Sequence, residues 1–286
     1  MPFNFSYISA RGERIRLNAS GADIGPAAAL RGREWSYEIG HRGIAAQSRP
    51  ARVVEVEASF QDLSVADALR RAADRDVHDG TPGKIEAVGR WTQRAYVLAF
   101  KPDSIGEAYV RGSLSIALLD GSWRRPHVVE LRPGGAASDG KGHPYAYPYS
   151  YGLAEGVGRI MSVGSMPGPV SITVFGPATD PSVTIGGNRF AVKCSVPAGG
   201  HLVIDGIALT VELVNAYGTR ENKLADAVRG SGRGGGEYIF EEVGGDGEVL
   251  VSWPGTFGAD VTWWEQEGEP PWVFDNREAV ARWTSL

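Results

Sequence analysis

Hydrophobic and polar residues alternate along much of this chain. In "ARVVEVEASF", Val54, Val56, Ala58 and Phe60 fall on one side, and Glu55, Glu57 and Ser59 on the other. The same period places Tyr96, Leu98 and Phe100 together in "YVLAF", and Val110, Leu114, Ile116 and Leu118 together in "VRGSLSIAL". A period of two bounded by turn residues predicts half-buried antiparallel strands. One stretch departs from it. In "DLSVADALRRAADRDVHDG", Val65, Ala68, Leu69 and Ala72 recur at helical spacing, which predicts one amphipathic helix. Ser64 is its expected cap, Asp67 suits the positive helix start, and Asp79-Gly80 ends it. "TPGK" then supplies a turn before the next strand.

The second half shows strands only. Phe190, Val192, Cys194 and Val196 alternate with Ala191, Lys193 and Ser195, and Ile207, Leu209, Val211 and Leu213 alternate with Ala208, Thr210 and Glu212. "GEVLVSWPG" and "ADVTWWEQ" add two more strands. Gly186-Gly187-Asn188 is expected to supply positive-φ positions between Val183–Ile185 and Phe190–Val196, and Pro177 and Pro181 to fix turn geometry. Regular strands with turn signals between them predict a β-sandwich of the jelly-roll sort. Between the halves, "RPGGAASDGKGHPYAYPYSYGLAEGVG" starts polar and flexible, then presents Tyr145, Tyr147, Tyr149 and Tyr151 on an extended, proline-stiffened backbone. The expected architecture is therefore mainly β. It has two β-sandwich-type domains, residues 1–150 with one packed helix and residues 151–286, and "RGSGRGGGE" is an exposed loop of the second.

Composition narrows the function classes. With 286 residues, 39 glycines and 17 prolines spread among apolar runs, the chain suits two turn-rich β cores. One cysteine, Cys194, excludes an internal disulfide and reads as a small buried hydrophobe. Neither a basic-then-apolar leader nor a long apolar run is present, so a soluble protein folded in a reducing cytoplasm, with no membrane association, is expected. The net charge of −5 is uneven: residues 1–150 hold 20 Lys/Arg against 17 Asp/Glu, and residues 151–286 hold 9 against 17. Alternating signs, as in "RRAADRD", describe an ion-paired surface rather than a nucleic-acid patch.

Motifs for chemistry are weak. His41, His78, His127, His143 and His201 are dispersed without metal-ligand spacing. "DRDVHDG" begins like a calcium loop with Asp74, Asp76 and Asp79, but His78 occupies a ligand position and the glycine is misplaced. "GSGRGGG" lacks the lysine and hydroxyl residue of a phosphate loop, and there is no nucleophile elbow. The abundant acids leave a glycosidase-like carboxylate pair open, with no local feature favouring it. Trp253, Trp263, Trp264 and Trp272 cluster near the C-terminus. Because Trp263 and Trp264 are adjacent, a strand sends them to opposite sides: one to the core, the other to solvent, sugar or a partner. The candidate interface or glycan-contact aromatics are Tyr145, Tyr147, Tyr149, Tyr151, Trp263, Trp264 and Trp272. No catalytic, metal or cofactor residue is expected.

The order of these segments resembles one family. "RPARVVEVEASF", "SVADALRRAADRD", "DGTPGKIEAVGRW" and "AYVLAFKPDSI" follow one another as in the N-terminal belt domain of siphophage distal tail proteins. The run from "ITVFGPATDPSVTIGG" through "LVIDG" to "EPPW" is similar to that family's galectin-like C-terminal sandwich. The resemblance covers nearly the whole chain and implies a structural protein, not an enzyme. It implies a hexameric ring at the virion tail tip, assembled in the host cytoplasm. Its implied partners are the tail tube protein, the tape-measure protein and baseplate hub or fibre proteins. The sugar-binding motif of galectins, of W-G-x-E-x-R type, is not reproduced by "TWWEQEGEPPW". The alternative is a carbohydrate-binding module or receptor-binding tail component contacting a cell-surface glycan.

Overall fold

The structure is a computed structural model that describes residues 4–133, 157–162, 164, 166–244 and 247–270. It is mainly β, with large antiparallel sheets. The chain divides into two compact units, Met1–Arg125 with Glu267–Leu286, and Pro126–Gln266. The expected boundary near residue 150 therefore falls at 125/126, and the chain returns to the first unit at Glu267. Electrostatics explains the return. Glu267 and Glu269 lie within coulombic reach of Arg49 and Arg31, Arg33 Nε stands 3.9 Å from Glu269, and Arg31 donates to the Pro270 carbonyl at 3.1 Å.

The first unit runs β1 (Ser6–Ile8), β2 (Arg14–Arg16), β3 (Asn18–Ala19), β4 (Ala22–Asp23), α1 (Ala28–Arg31), β5 (Ser36–Gly40), β6 (Gly43–Ser48) and β7 (Arg52–Phe60). It continues through α2 (Leu63–His78), β8 (Gly83–Ala87), β9 (Trp91–Ile105), β10 (Val110–Leu118) and the start of β11 (Trp123–Leu131). The long strand β9 has different partners along its two halves within one sheet. Trp91–Ala95 pairs with β8, which leads through β1 to β2, while Ala95–Ile105 pairs with β10, followed by β7, β4 and β3. The expected inward set of β7, Val54, Val56, Ala58 and Phe60, is buried, as are Leu114, Ile116 and Leu118 of β10.

In β9 the expected grouping of Tyr96, Leu98 and Phe100 fails. Ser115 pairs with Ala99 but Ile116 with Val97, so Leu98 is an extra residue. A bulge of this kind switches the face that follows. Val97 and Phe100 therefore both reach the core while Leu98 is exposed. A second bulge, at Asp103, separates the Ser104–Arg111 pair from the Pro102–Gly112 pair.

Helix α2 packs on this core through Leu69, Ala72, Ala73 and Asp76, flanked by the partly buried Val65 and Ala66. Ala68, expected on the stripe, is exposed, because the apolar face turns toward Ala66 and Ala73. The cap is Asp62 rather than Ser64: its carboxylate accepts the Ser64 N–H at 2.9 Å, so Ser64 is already inside the helix. Buried Asp76 ties the helix to β1. Tyr7 Oη donates to it at 2.5 Å and the Ala10 N–H at 3.1 Å. Burial, then Asp76, pushes the Tyr7 phenol far up.

The second unit takes up the remainder of β11 and continues with β12 (Val157–Ser162), β13 (Val170–Phe175), β14 (Ala178–Thr179), β15 (Ser182–Ile185), β16 (Asn188–Ala191) and β17 (Ser195–Val196). Then follow β18 (His201–Asp205), β19 (Thr210–Val214), β20 (Arg220–Asn222), β21 (Glu248–Trp253) and β22 (Ala259–Glu267). One sheet orders β20-β19-β18-β13-β22 and the other β12-β21-β15-β16. Ile172, Leu202, Ile204 and Val261 from the first meet Val183, Ile185, Phe190 and Val251 from the second in one core, the expected sandwich.

Two strands are shorter than the alternation predicts. Residues 190–196 split into β16 and β17, with Ala191 buried beside Val192. Ile207 and Leu209 lie in a turn, where Asp205 Oδ1 accepts the N–H groups of Ile207 and Ala208 at 2.8 and 3.0 Å. Gly186 and Gly187, at φ +57° and +86°, form the two-residue hairpin turn that only such residues enter cheaply. Asn188 belongs to β16 instead of the turn, and its amide exchanges two hydrogen bonds with the Tyr238 backbone.

Candidate assembly surface

The sequence "WSYEIGHRGIAAQSR" encodes two short strands around Gly40-His41-Arg42-Gly43. Among the described residues they pair only with each other, as the hairpin β5–β6. Tyr37 faces Gln47 and Ile39 faces Ile44, and the bulged Ala45 keeps both pairs in step. Alternation then puts Tyr37, Ile39, Ile44 and Gln47 on one face, leaving Ser36, Glu38, Ala46 and Ser48 on the other. The hairpin is amphipathic, yet its apolar face is largely open among the described residues. Tyr37 is 59% exposed, Ile39 78% and Ile44 62%. A two-stranded hairpin without a core is marginal in water, so a built apolar face left open is a surface suited to being covered.

The base of the hairpin is anchored. The Arg49 guanidinium stacks 4.2 Å from the Trp35 ring centroid, and burial lowers the Arg49 pKa. Gly121, at φ +62°, lies so close that a Cβ there would collide with the Arg49 carbonyl. The arm is thus held firmly where it leaves the unit, and open beyond it.

The aromatics expected at a contact surface divide. Tyr145, Tyr147, Tyr149, Tyr151 and Trp272 lie outside the described residues. Trp263 is fully buried and donates its indole N–H to the Val243 carbonyl at 2.8 Å, so it is a core residue and not a contact residue. Trp264, on the opposite side of β22, is half-buried, with its indole directed at Ser171 Oγ, 3.3 Å away. Cys194 is half-buried, its thiol pushed up by burial. No group of three or more metal-ligating side chains occurs among the described residues, and no helix among them is long and apolar enough to cross a membrane. The residues that sequence reasoning missed are Tyr37, Ile39 and Ile44. Their signal was the short alternation either side of a Gly-His-Arg-Gly turn.

No family model and no curated protein matches this chain. Solved structures do. The SPP1 Dit (gp 19.1) protein, described as a paradigm of the hub adsorption apparatus in phages infecting Gram-positive hosts, superposes with a TM-score of 0.56 at 12% identity, covering 93% of this chain and 99% of its own. A chain of the phage P2 baseplate in its activated, calcium-containing conformation gives 0.59 at 8% identity, covering 94% and 100%. The strontium form of that baseplate gives 0.58 at 9% identity, covering 94% and 99%. Over nearly its whole length, this chain has the fold of the SPP1 Dit hub protein and of a phage P2 baseplate component.

Proposed function

We propose that this chain is a structural hub protein at the tail tip of a long-tailed bacteriophage or a related particle. In this reading the first unit, expected from the sequence as residues 1–150, acts as the belt: copies associate into a ring, with six as the expected number, around the tail channel. One face of the ring joins the tail tube and the other the baseplate or fibre proteins, with the tape-measure protein passing through. Its role is assembly and not catalysis.

The observation that supports this reading is end-to-end likeness. The hub and baseplate chains are matched over 99–100% of their own length, both units included, which a shared sandwich alone does not produce. The open apolar face of β5–β6 agrees with it, since a ring component needs a surface for its neighbour. The test is the mass of the purified chain by light scattering, followed by negative-stain imaging. Ring-shaped particles of matching mass are the expected result. A chain that stays monomeric while being retained on a glycan array overturns the hub in favour of a carbohydrate-binding module.

A further inference from the structure

Four arginines gather where the β5–β6 arm leaves the first unit. Arg33 precedes the arm and Arg49 follows it, with Arg31 and Arg52 just behind them in the chain. Arg52 donates to the Gly32 carbonyl, which ties one stem of the arm to the other. Arg31 is 2% exposed, and burial lowers the pKa of Arg31, Arg49 and Arg52. The Arg33 charge acts on Arg49 in the same direction, so the two stems repel each other. Cations held this close and partly out of water need counter-charges to stay there.

Residues 267–270 supply those counter-charges. Glu267 acts on Arg49 and Glu269 on Arg31, each opposing the effect of burial. Glu269 also stands 3.9 Å from Arg33 Nε. Gly268 is buried against both stems: a Cβ there would lie 3.3 Å from Arg33 Cδ and 3.8 Å from Arg49 Cζ. Beyond it, the buried Pro270 carbonyl accepts from Arg31 Nη2 at 3.1 Å. Arg49 in turn stacks on Trp35, the residue before β5. We infer that residues 267–270 are a strap that fixes the β5–β6 arm by clasping both of its stems. A two-stranded hairpin is marginal by itself, so the clasp at its base is what keeps the arm folded. The strap follows the whole second unit in the sequence, and an incomplete chain therefore has an arm without its clasp. The inference concerns the order of the arm within one chain and stands apart from the hub reading.

Hydrogen exchange on the full-length chain tests it, with residues 36–48 as the readout and α2 as the internal control. Glu267→Gln with Glu269→Gln removes the charges of the strap and keeps its shape. Exchange over residues 36–48 should then rise at least about tenfold with α2 unchanged, because stripping the counter-charges from a buried arginine exceeds the ~1.4 kcal/mol that a factor of ten represents. Sedimentation at the same concentration ensures that wild type and variant are compared at equal mass, so that association does not protect one arm and not the other. Glu269→Gln should also loosen the arm less in an Arg33→Gln background than in the wild type, since the two side chains share one contact. A variant arm that exchanges as slowly as the wild type overturns the strap, and so does a wild-type arm with no protection to lose. If α2 loses protection together with the arm, residues 267–270 are an ordinary part of the core and the strap is again overturned. Full additivity of Arg33→Gln and Glu269→Gln overturns the clasp on the first stem.

Discussion

In the second unit, the apolar sides of two sheets close on each other, and Trp253 and Trp263 sit at the centre with their indole N–H groups satisfied by backbone carbonyls. In the first unit a comparable core forms, but an amphipathic hairpin stands outside it. The second unit also exposes apolar residues, for instance the cross-strand pair Ile160 and Leu250. Those two project from a sheet whose other face is core, whereas Ile39 and Ile44 project from two strands with no sheet behind them. The contrast separates two uses of one alternating pattern. A strand with a partner sheet buries its apolar face, and the hairpin without one leaves its face open.

The sharpest way to break this comparison is to remove the centre of the closed unit. Trp263→Ala should destabilise the second unit by ~3–5 kcal/mol, as expected for a fully buried tryptophan. Hydrogen exchange should show the loss confined to residues 157–266. An effect below ~0.5 kcal/mol, the range of ordinary surface changes, would place Trp263 at a surface after all. Next in size is Leu69→Ala on α2, which should cost ~2–5 kcal/mol, against at most ~0.5 kcal/mol for the exposed Arg71→Ala. Equal effects in chemical denaturation would contradict the buried stripe. A smaller change tests the helix start. Asp62→Ala should cost ~0.5–2 kcal/mol, with Ser64→Ala costing less. The reverse order would restore Ser64 as the cap.

The smallest expected effect is one of sign. Hydrogen bonds from Ser64 hold the Asp62 carboxyl low, Arg71 and Arg70 lower Asp67, and His78 and Arg11 lower Asp79, all in the first unit. A depressed carboxylate contributes stability above its unfolded pKa, near ~3.9 for aspartate, and that contribution disappears as pH falls through the folded value. In the second unit, burial and then Glu130 push Asp260 the other way. Its contribution is fully present below the unfolded pKa and is lost as pH rises through the folded one. Acidification from neutral pH should therefore weaken the first unit before the second, read as exchange in each unit. Asp260→Asn should raise the second unit's stability at neutral pH. A first unit indifferent to acid would remove the electrostatic part of the comparison.

Much of this was legible in the chain itself. Period-two patterning located β7, β10, β21 and β22, helical spacing located α2, and Gly186-Gly187 located a hairpin turn, because each depends on neighbours a few residues away. The errors have the same root. Leu98 is a bulge, and a single inserted residue reverses every inward side chain after it without altering the local composition. Ile207 and Leu209 alternate correctly yet turn, because Asp205 captures the N–H groups of Ile207 and Ala208.

What the sequence determined by itself was the class of the strongly periodic segments, the strands β7, β10, β21 and β22 and the helix α2, since period and turn chemistry are local properties. The tertiary structure decided the rest: that the unit boundary lies at residue 125, that Trp263 is core while Trp264 is not, and that Tyr37, Ile39 and Ile44 remain open. Alternation says that a strand has an apolar face. Whether another sheet arrives to cover that face is a fact about distant residues, and only the folded chain brings those together or leaves them apart.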